Sequence, residues 1–175
     1  MKKLFSIAFI TVLLSCSATK VNYDYDKSTD FSSYNTYNYF NDLETGFSEL
    51  DEKRFLNAVA ITLQSKGLKF SEEPDIFIDI KSTVYRSRSN NSVGLGLGGG
   101  GSTIGGGVSV GIPVGEPKLT RELQIDFVDA KKDMLIWQSV STSPFKEGEP
   151  PALKEKNIQE LVAKIFDKYP PKAHN

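Results

Sequence analysis

One cysteine and one histidine, Cys16 and His174, are all that 175 residues hold of either type. A single Cys excludes a disulfide within the chain, and with a single His it excludes zinc sites of the Cys/His kind. His174 is next to last, so a Ser-His-Asp triad or a histidine-activated thiol lacks its base. Long apolar runs are missing too. The longest, Leu4 to Leu14, is 11 residues, well short of the ~20 a helix needs to span the hydrocarbon core. Neither sign of charge dominates: Lys and Arg number 21 against 22 Asp and Glu, a net charge of −1. No Lys/Arg run marks a nucleic-acid surface or an electrostatic grip on anionic headgroups. The sequence therefore implies neither nucleic acid nor nucleotide as a partner, and neither a metal nor another cofactor. No set of residues specifies a reaction, and the expectation is a protein that is not an enzyme.

What is present at the front is more informative. Lys2 and Lys3, the apolar run Leu4 to Leu14 and the small Ser15 have the layout of a secretory signal. Leu13-Leu14-Ser15-Cys16 resembles the lipobox of bacterial lipoproteins, in which the Cys sulfur receives a diacylglycerol and becomes the mature N-terminus. The alternative is an ordinary signal followed by an unmodified Cys. With Cys16 as the lipid attachment residue, the boundaries are a leader at 1–15, a lipidated tether at 16–20 and a single domain at 21–171. Residues 172–175 form a tail. Burial of acyl chains is worth ~0.8 kcal/mol per CH₂, so two or three chains hold a protein on a membrane durably. Ser17 rather than Asp follows Cys16. By analogy with lipoprotein sorting in Gram-negative bacteria, this favours the outer membrane, facing the periplasm. Losing Lys2 and Lys3 with the leader takes the net charge to about −3.

Along the domain, Val21, Tyr23 and Tyr25 alternate with Asn22 and Asp24, the period-2 mark of a half-buried strand. A turn-rich stretch follows, then a second aromatic strand over Tyr34 to Phe40. Five of the seven tyrosines fall in these two segments; packing in a sheet is the first reading of them, stacking on a ligand the second. Phe47 to Lys66 reads as a helix with Ser48 as N-cap, an apolar stripe of Leu56, Val59, Ala60 and Leu63, and Gly67 beyond its end. Ile76 to Arg86 alternates, with Ile76, Ile78, Ile80 and Val84 on one face. Leu119 to Val128 alternates likewise, turning through Asp129 to Asp133 into a strand over Met134 to Thr142. A last helix is expected over Ala152 to Tyr169, burying Leu153, Ile158, Leu161, Val162, Ile165 and Tyr169 before Pro170 and Pro171 stop it. The fold class is α+β: a two-layer sandwich of a mainly antiparallel sheet with two helices on one face and a long Gly-rich hairpin or loop insertion.

That insertion, "VGLGLGGGGSTIGGGVSVGIPVG" at residues 93–115, holds 11 of the 14 glycines. Gly96, Gly98 and Gly101 make a formal G-x-G-x-x-G, but no helix pattern follows to carry a phosphate on its N-terminus. The plain reading is a hairpin or loop with polyglycine at its tip, costly to order. The sharper reading is an interaction arm through Leu95, Leu97, Ile104, Val108, Val110 and Ile112, whose uncharged apolar edge suits strand addition to an envelope protein or contact with lipid. The acidic groups Asp126, Asp129 and Asp133, and Glu72, Glu73 and Asp75, sit at strand ends and turns, where Asp serves turn chemistry.

"YDKSTDFSSYNTYNYF" (Tyr25 to Phe40) resembles the opening D-F-S-x-Y-K-T-Y-x-W of the bacterial lipoprotein family known as domain of unknown function 4136. Asp30, Phe31, Ser32, Tyr34, Thr36 and Tyr37 match, while Asn35 stands where Lys is usual and Tyr39 where Trp is. "LQSKGLKF", "LQIDFVDAKKDMLIW" and "LVAKIFDKYPP" extend the resemblance over nearly the whole domain. It implies a lipid-anchored envelope domain and brings no established activity or site. Two functions stay open: a structural or assembly-interaction module, and a binding module for a glycan or apolar small molecule.

Overall fold

The computed structural model describes residues 19–87, 92–94, 111–113 and 118–172. Eight strands and two helices follow in the order β1 (Lys20–Tyr25), β2 (Thr36–Tyr39), α1 (Glu49–Ser65), β3 (Lys69–Phe70), β4 (Ile76–Ser87), β5 (Ser92–Gly94), β6 (Gly111–Pro113), β7 (Lys118–Asp129), β8 (Met134–Pro144) and α2 (Pro151–Ile165). Six strands form one sheet in the order β1-β8-β7-β4-β2-β3, while β5 and β6 pair separately. The architecture is the expected α+β arrangement.

Alternation in the sequence becomes two faces of this sheet. Ile76, Ile78 and Ile80 of β4 and Leu123, Ile125 and Phe127 of β7 are all buried, brought side by side by the pairings Ile78↔Phe127 and Ile80↔Ile125. A register shift between Phe127 and Val128 lets β8 bury two consecutive residues, Ile136 and Trp137. The pairings β1-β8, β8-β7 and β7-β4 are antiparallel. The far edge differs: β2 runs parallel to both β3 and β4. The physical reason is α1, which carries the chain back between β2 and β3, as a parallel pairing requires.

Both helices pack against the apolar face. Phe55, Val59 and Leu63 of α1 and Val162 and Ile165 of α2 join the sheet residues in one core. The buried stripe of α1 is centred on Phe55 and Ala58 rather than on Leu56 and Ala60, a rotation of about one residue from the expected stripe. Ser48 stands at the N-cap but makes no side-chain cap bond. At the other end Gly67 has φ 92°, and the bonds Gly67 N–H to Gln64 O and Leu68 N–H to Leu63 O, both 3.0 Å, form a Schellman motif. α2 stops at Ile165, short of the expected Tyr169, and a 3₁₀ turn, Phe166–Lys168, follows. Tyr169 is nonetheless buried, against Phe127 and Trp137 with centroids 5.0 and 5.4 Å away. The helices lie side by side in one direction: Lys154 Nζ meets Asp51 at 3.0 Å near their starts, and Lys66 Nζ donates to Tyr169 O at 2.6 Å near their ends.

Candidate functional site

Strand direction decides which loops share an end of the molecule. Lys20, the first residue of β1, pairs with Thr142; Thr142 pairs with Glu122, and Glu122 with Thr83. One row across the sheet therefore marks where the N-terminal tether joins. β4 and β7 run on beyond that row, from Val84↔Arg121 to Ser87↔Lys118, about 13 Å further at ~3.3 Å per residue. The insertion leaves β4 and re-enters β7 there. The tether and the Gly-rich segment thus emerge from the same end of the sheet, and the α2 start lies at that end as well.

The core stops one row earlier. Leu123 is buried, but the next inward-facing position of β7 is Arg121, in phase with Leu123, Ile125 and Phe127. Its guanidinium lies between the rings of Phe47 and Phe145, 4.4 Å from each centroid. Phe47 in turn stacks on Phe55 at 4.9 Å, and Phe145 is fixed by its N–H donating to Leu119 O at 2.9 Å. The two ring faces offset part of the cost of taking a cation out of water. Burial pushes the Arg121 pKa below its ordinary value, with Asp51 opposing. Its Nε is buried and has no hydrogen-bond partner among the described residues.

Asp51 does not supply that partner. Its carboxylate accepts from Arg54 at 2.7 Å and from Lys154 at 3.0 Å. Burial alone would raise its pKa, but Lys154 and the other donors outweigh it and hold the carboxyl below its ordinary value. Over Arg121 opens a cleft of about 660 Å³, bounded by Thr19, Pro144, Phe145, Leu153, Ile158 and Leu161. Lys146 and Lys164 also line it. Its volume is that of an ordinary small-molecule site. Leu153, expected in the core, is 43% exposed because it sits on the wall of this opening. Val84, expected inward, is likewise exposed, one row past the end of the core.

The residues singled out from the sequence lie elsewhere or outside the described residues. Cys16, Leu95, Leu97, Ile104, Val108 and Val110 are outside them. Ile112 lies in β6, which pairs antiparallel with β5 through Val93↔Ile112 and Gly94↔Gly111. The tyrosines of the first two strands are mostly packing groups. Tyr37 is buried and Tyr25, Tyr34 and Tyr39 are half-buried; only Tyr23, at 43%, is well exposed. Tyr25, Phe31 and Tyr169 make edge contacts at 6.1 and 5.9 Å.

Asp129 and Asp75 serve turns as expected, whereas Asp126 lies within β7 and is held by side-chain amides. Asp129 accepts from the N–H groups of Lys131 and Lys132 at 2.8 and 2.9 Å and from the Tyr34 hydroxyl at 2.7 Å. Asp75 accepts from the N–H groups of Asn35 and Thr36 and from the Thr36 hydroxyl. Asp126 accepts from Gln124 and Gln138. Among the described residues no group of three or more His, Cys, Asp or Glu is placed to hold a metal ion. Arg121 was missed from the sequence, although its signal was there: a charged residue in phase with the buried positions of a strand.

No curated protein matches the chain in sequence. Among solved structures it is similar to a PDZ domain protein from Parabacteroides distasonis, with a TM-score of 0.57 and 13% identity. The match covers 89% of this chain but only 37% of that one, so the likeness is one of fold over part of a longer protein. More distant likenesses, at TM-scores of 0.49 and 0.47, are to PelC dodecamers from Paraburkholderia phytofirmans. They share 7% and 8% identity, each covering 85% of this chain and 95% of the other. Residues 21–171 match the family described as Domain of unknown function (DUF4136), and the chain belongs to that family.

Proposed function

We propose that this protein is a non-enzymatic module of the bacterial cell envelope, anchored by lipid on Cys16 to the periplasmic face of the outer membrane, where it serves structure or assembly. The observation that carries the reading is the shared end of the sheet. Cys16 precedes Lys20 by four residues, a reach of at most about 14 Å, and β1 begins in a row about 13 Å below the last β4–β7 pair, where the insertion leaves the sheet. An anchor at Cys16 therefore holds the apolar arm at the bilayer side, where an envelope partner or the lipid surface lies within its reach. Asp75 and Asp129 are engaged in turn hydrogen bonds and Asp126 by two side-chain amides, which fits a structural role for them.

The test has two parts. Full-length chain and Cys16→Ala are expressed in a Gram-negative host and labelled with palmitate. The wild type is expected to label and to partition into detergent, and the variant to do neither. Equal labelling and partitioning would overturn the anchor. Photocrosslinkers at Leu95 and Val110 are then expected to capture an envelope protein or lipid in cells; a profile identical to that of a crosslinker at Ile61, exposed on α1, would overturn the arm.

A further inference from the structure

Arg121 is a half-buried cation clamped by two rings, with a buried Nε left without a partner among the described residues. Such a group is costly unless an anion meets it. The nearest carboxylate element, Asp51, is already shared by Arg54 and Lys154. Two further acids line the cleft: Glu149 accepts from Asn157 at 2.9 Å, and Glu160 pairs with Lys156 at 3.8 Å. Lys146 and Lys164 add two cations without a carboxylate inside 4 Å among the described residues. The α2 side of the cleft presents Leu153, Ile158 and Leu161 among Lys154, Asn157, Glu160 and Lys164. The lining holds four cations against three carboxylates, each of the three already paired, with three apolar α2 side chains nearby, and suits an anionic amphiphile.

Position selects which amphiphile. Thr19, the residue before β1, borders the cleft, and Cys16 is three residues further, at most about 11 Å along an extended chain. We propose that this cleft binds an anionic phospholipid, its phosphate taken by Arg121 and the first part of an acyl chain lying along Leu153, Ile158 and Leu161. About 660 Å³ admits a headgroup and the start of a chain; the rest of the lipid stays in the bilayer. The choice of a membrane lipid rests on the anchoring proposed above, whereas the need for an anion rests on Arg121 alone. The bound lipid would fix the domain's orientation against the membrane, which attachment at a single point does not do.

Purified full-length chain in a non-ionic detergent is titrated with dihexanoyl phosphatidylglycerol, dihexanoyl phosphatidylcholine or inorganic phosphate, read by native mass spectrometry and thermal melting. Phosphatidylglycerol is expected to give a one-to-one adduct and to raise Tm by several degrees, with phosphatidylcholine at least ten-fold weaker. Arg121→Gln is expected to lose the adduct. Lys164→Glu and Leu153→Asp, at exposed positions, are expected to weaken it several-fold and keep the binding test valid if Arg121→Gln does not fold. The proposal is overturned if no lipid adduct forms, if the two lipids bind equally, if inorganic phosphate reproduces the shift, or if the variants bind as the wild type does. Short-chain lipid reports on the cleft whether or not Cys16 is acylated. A failed titration on chain that labels with palmitate therefore sinks the cleft alone, and binding by Cys16→Ala chain leaves the cleft standing without the anchor.

Discussion

At the scale of single residues, three donors converge on the carboxylate that closes the β7–β8 turn. Burial would raise the pKa of Asp129, but the Tyr34 hydroxyl and the N–H groups of Lys132 and Lys131 outweigh it and hold the carboxyl down to about 2. Tyr34 is correspondingly pushed up to about 12, first by burial and then by Asp129. Because the folded value of Asp129 lies below its ordinary 3.8, its stabilisation is fully present above that ordinary value. It is lost as pH falls through about 2. The contribution at neutral pH is about 2 kcal/mol, at ~1.4 kcal/mol per pKa unit. Urea unfolding of wild type and Asp129→Asn is expected to show that gap at pH 7 and to show it shrinking towards pH 2. Tyr34→Phe, which removes one charge-assisted donor, is expected to cost roughly 1–2 kcal/mol in the same assay. Tyr34 belongs to the aromatic motif visible in the sequence; its partner 95 residues away does not announce itself, because no local period links a side chain to a distant turn.

At the scale of elements, the link from β2 to α1 is held by close backbone contact with β4. Ser82 N–H donates to Thr45 O at 2.8 Å, and Gly46 follows with φ 72°. A Cβ on Gly46 would fall 2.2 Å from Ser82 O. Gly46→Ala is therefore expected to destabilise by on the order of 2 kcal/mol or more, from positive φ and from the displaced strand together. Gly67→Ala is expected to cost less, about 1 kcal/mol: φ is positive there too, but nothing lies within 4 Å of the added carbon. Thermal melts of the two variants check the order. At the end of α2, Phe166 is fully buried and stacks on Trp137 at 5.6 Å. Phe166→Ala is expected to cost about 3–5 kcal/mol. The long strands and both helices were legible because alternation, the Gly67 stop and the polar Asp129–Asp133 turn are local signals, although α2 ends four residues before the expected Tyr169. The parallel pairing of β2 was not, since a four-residue strand with one partner on each side looks the same in either direction.

At the scale of the whole molecule, the last fully buried residues at the tether end are Ile80 and Leu123, and what lies beyond them contributes little to the core. Replacing residues 88–117 with a short hairpin turn between β4 and β7 is accordingly expected to leave the far-UV circular dichroism intact and Tm within a few degrees. A large fall in Tm would mean that the insertion packs on the domain. The chain entering β1, the insertion, Arg121 and the start of α2 share one end, so the proposed anchor, arm and lipid cleft would lie together rather than on opposite sides of the protein.

The sequence by itself determined the composition-level exclusions, the alternating strands, the two amphipathic helices and the family, because each is written in local order or in residue type. The tertiary structure alone decided which end of the sheet the tether, the insertion and α2 share, and that Arg121 stands at the base of a cleft between Phe47 and Phe145. Those facts depend on strand direction and on contacts between Phe47, Arg121 and Phe145, residues far apart along the chain, and short-range periodicity carries no information about either.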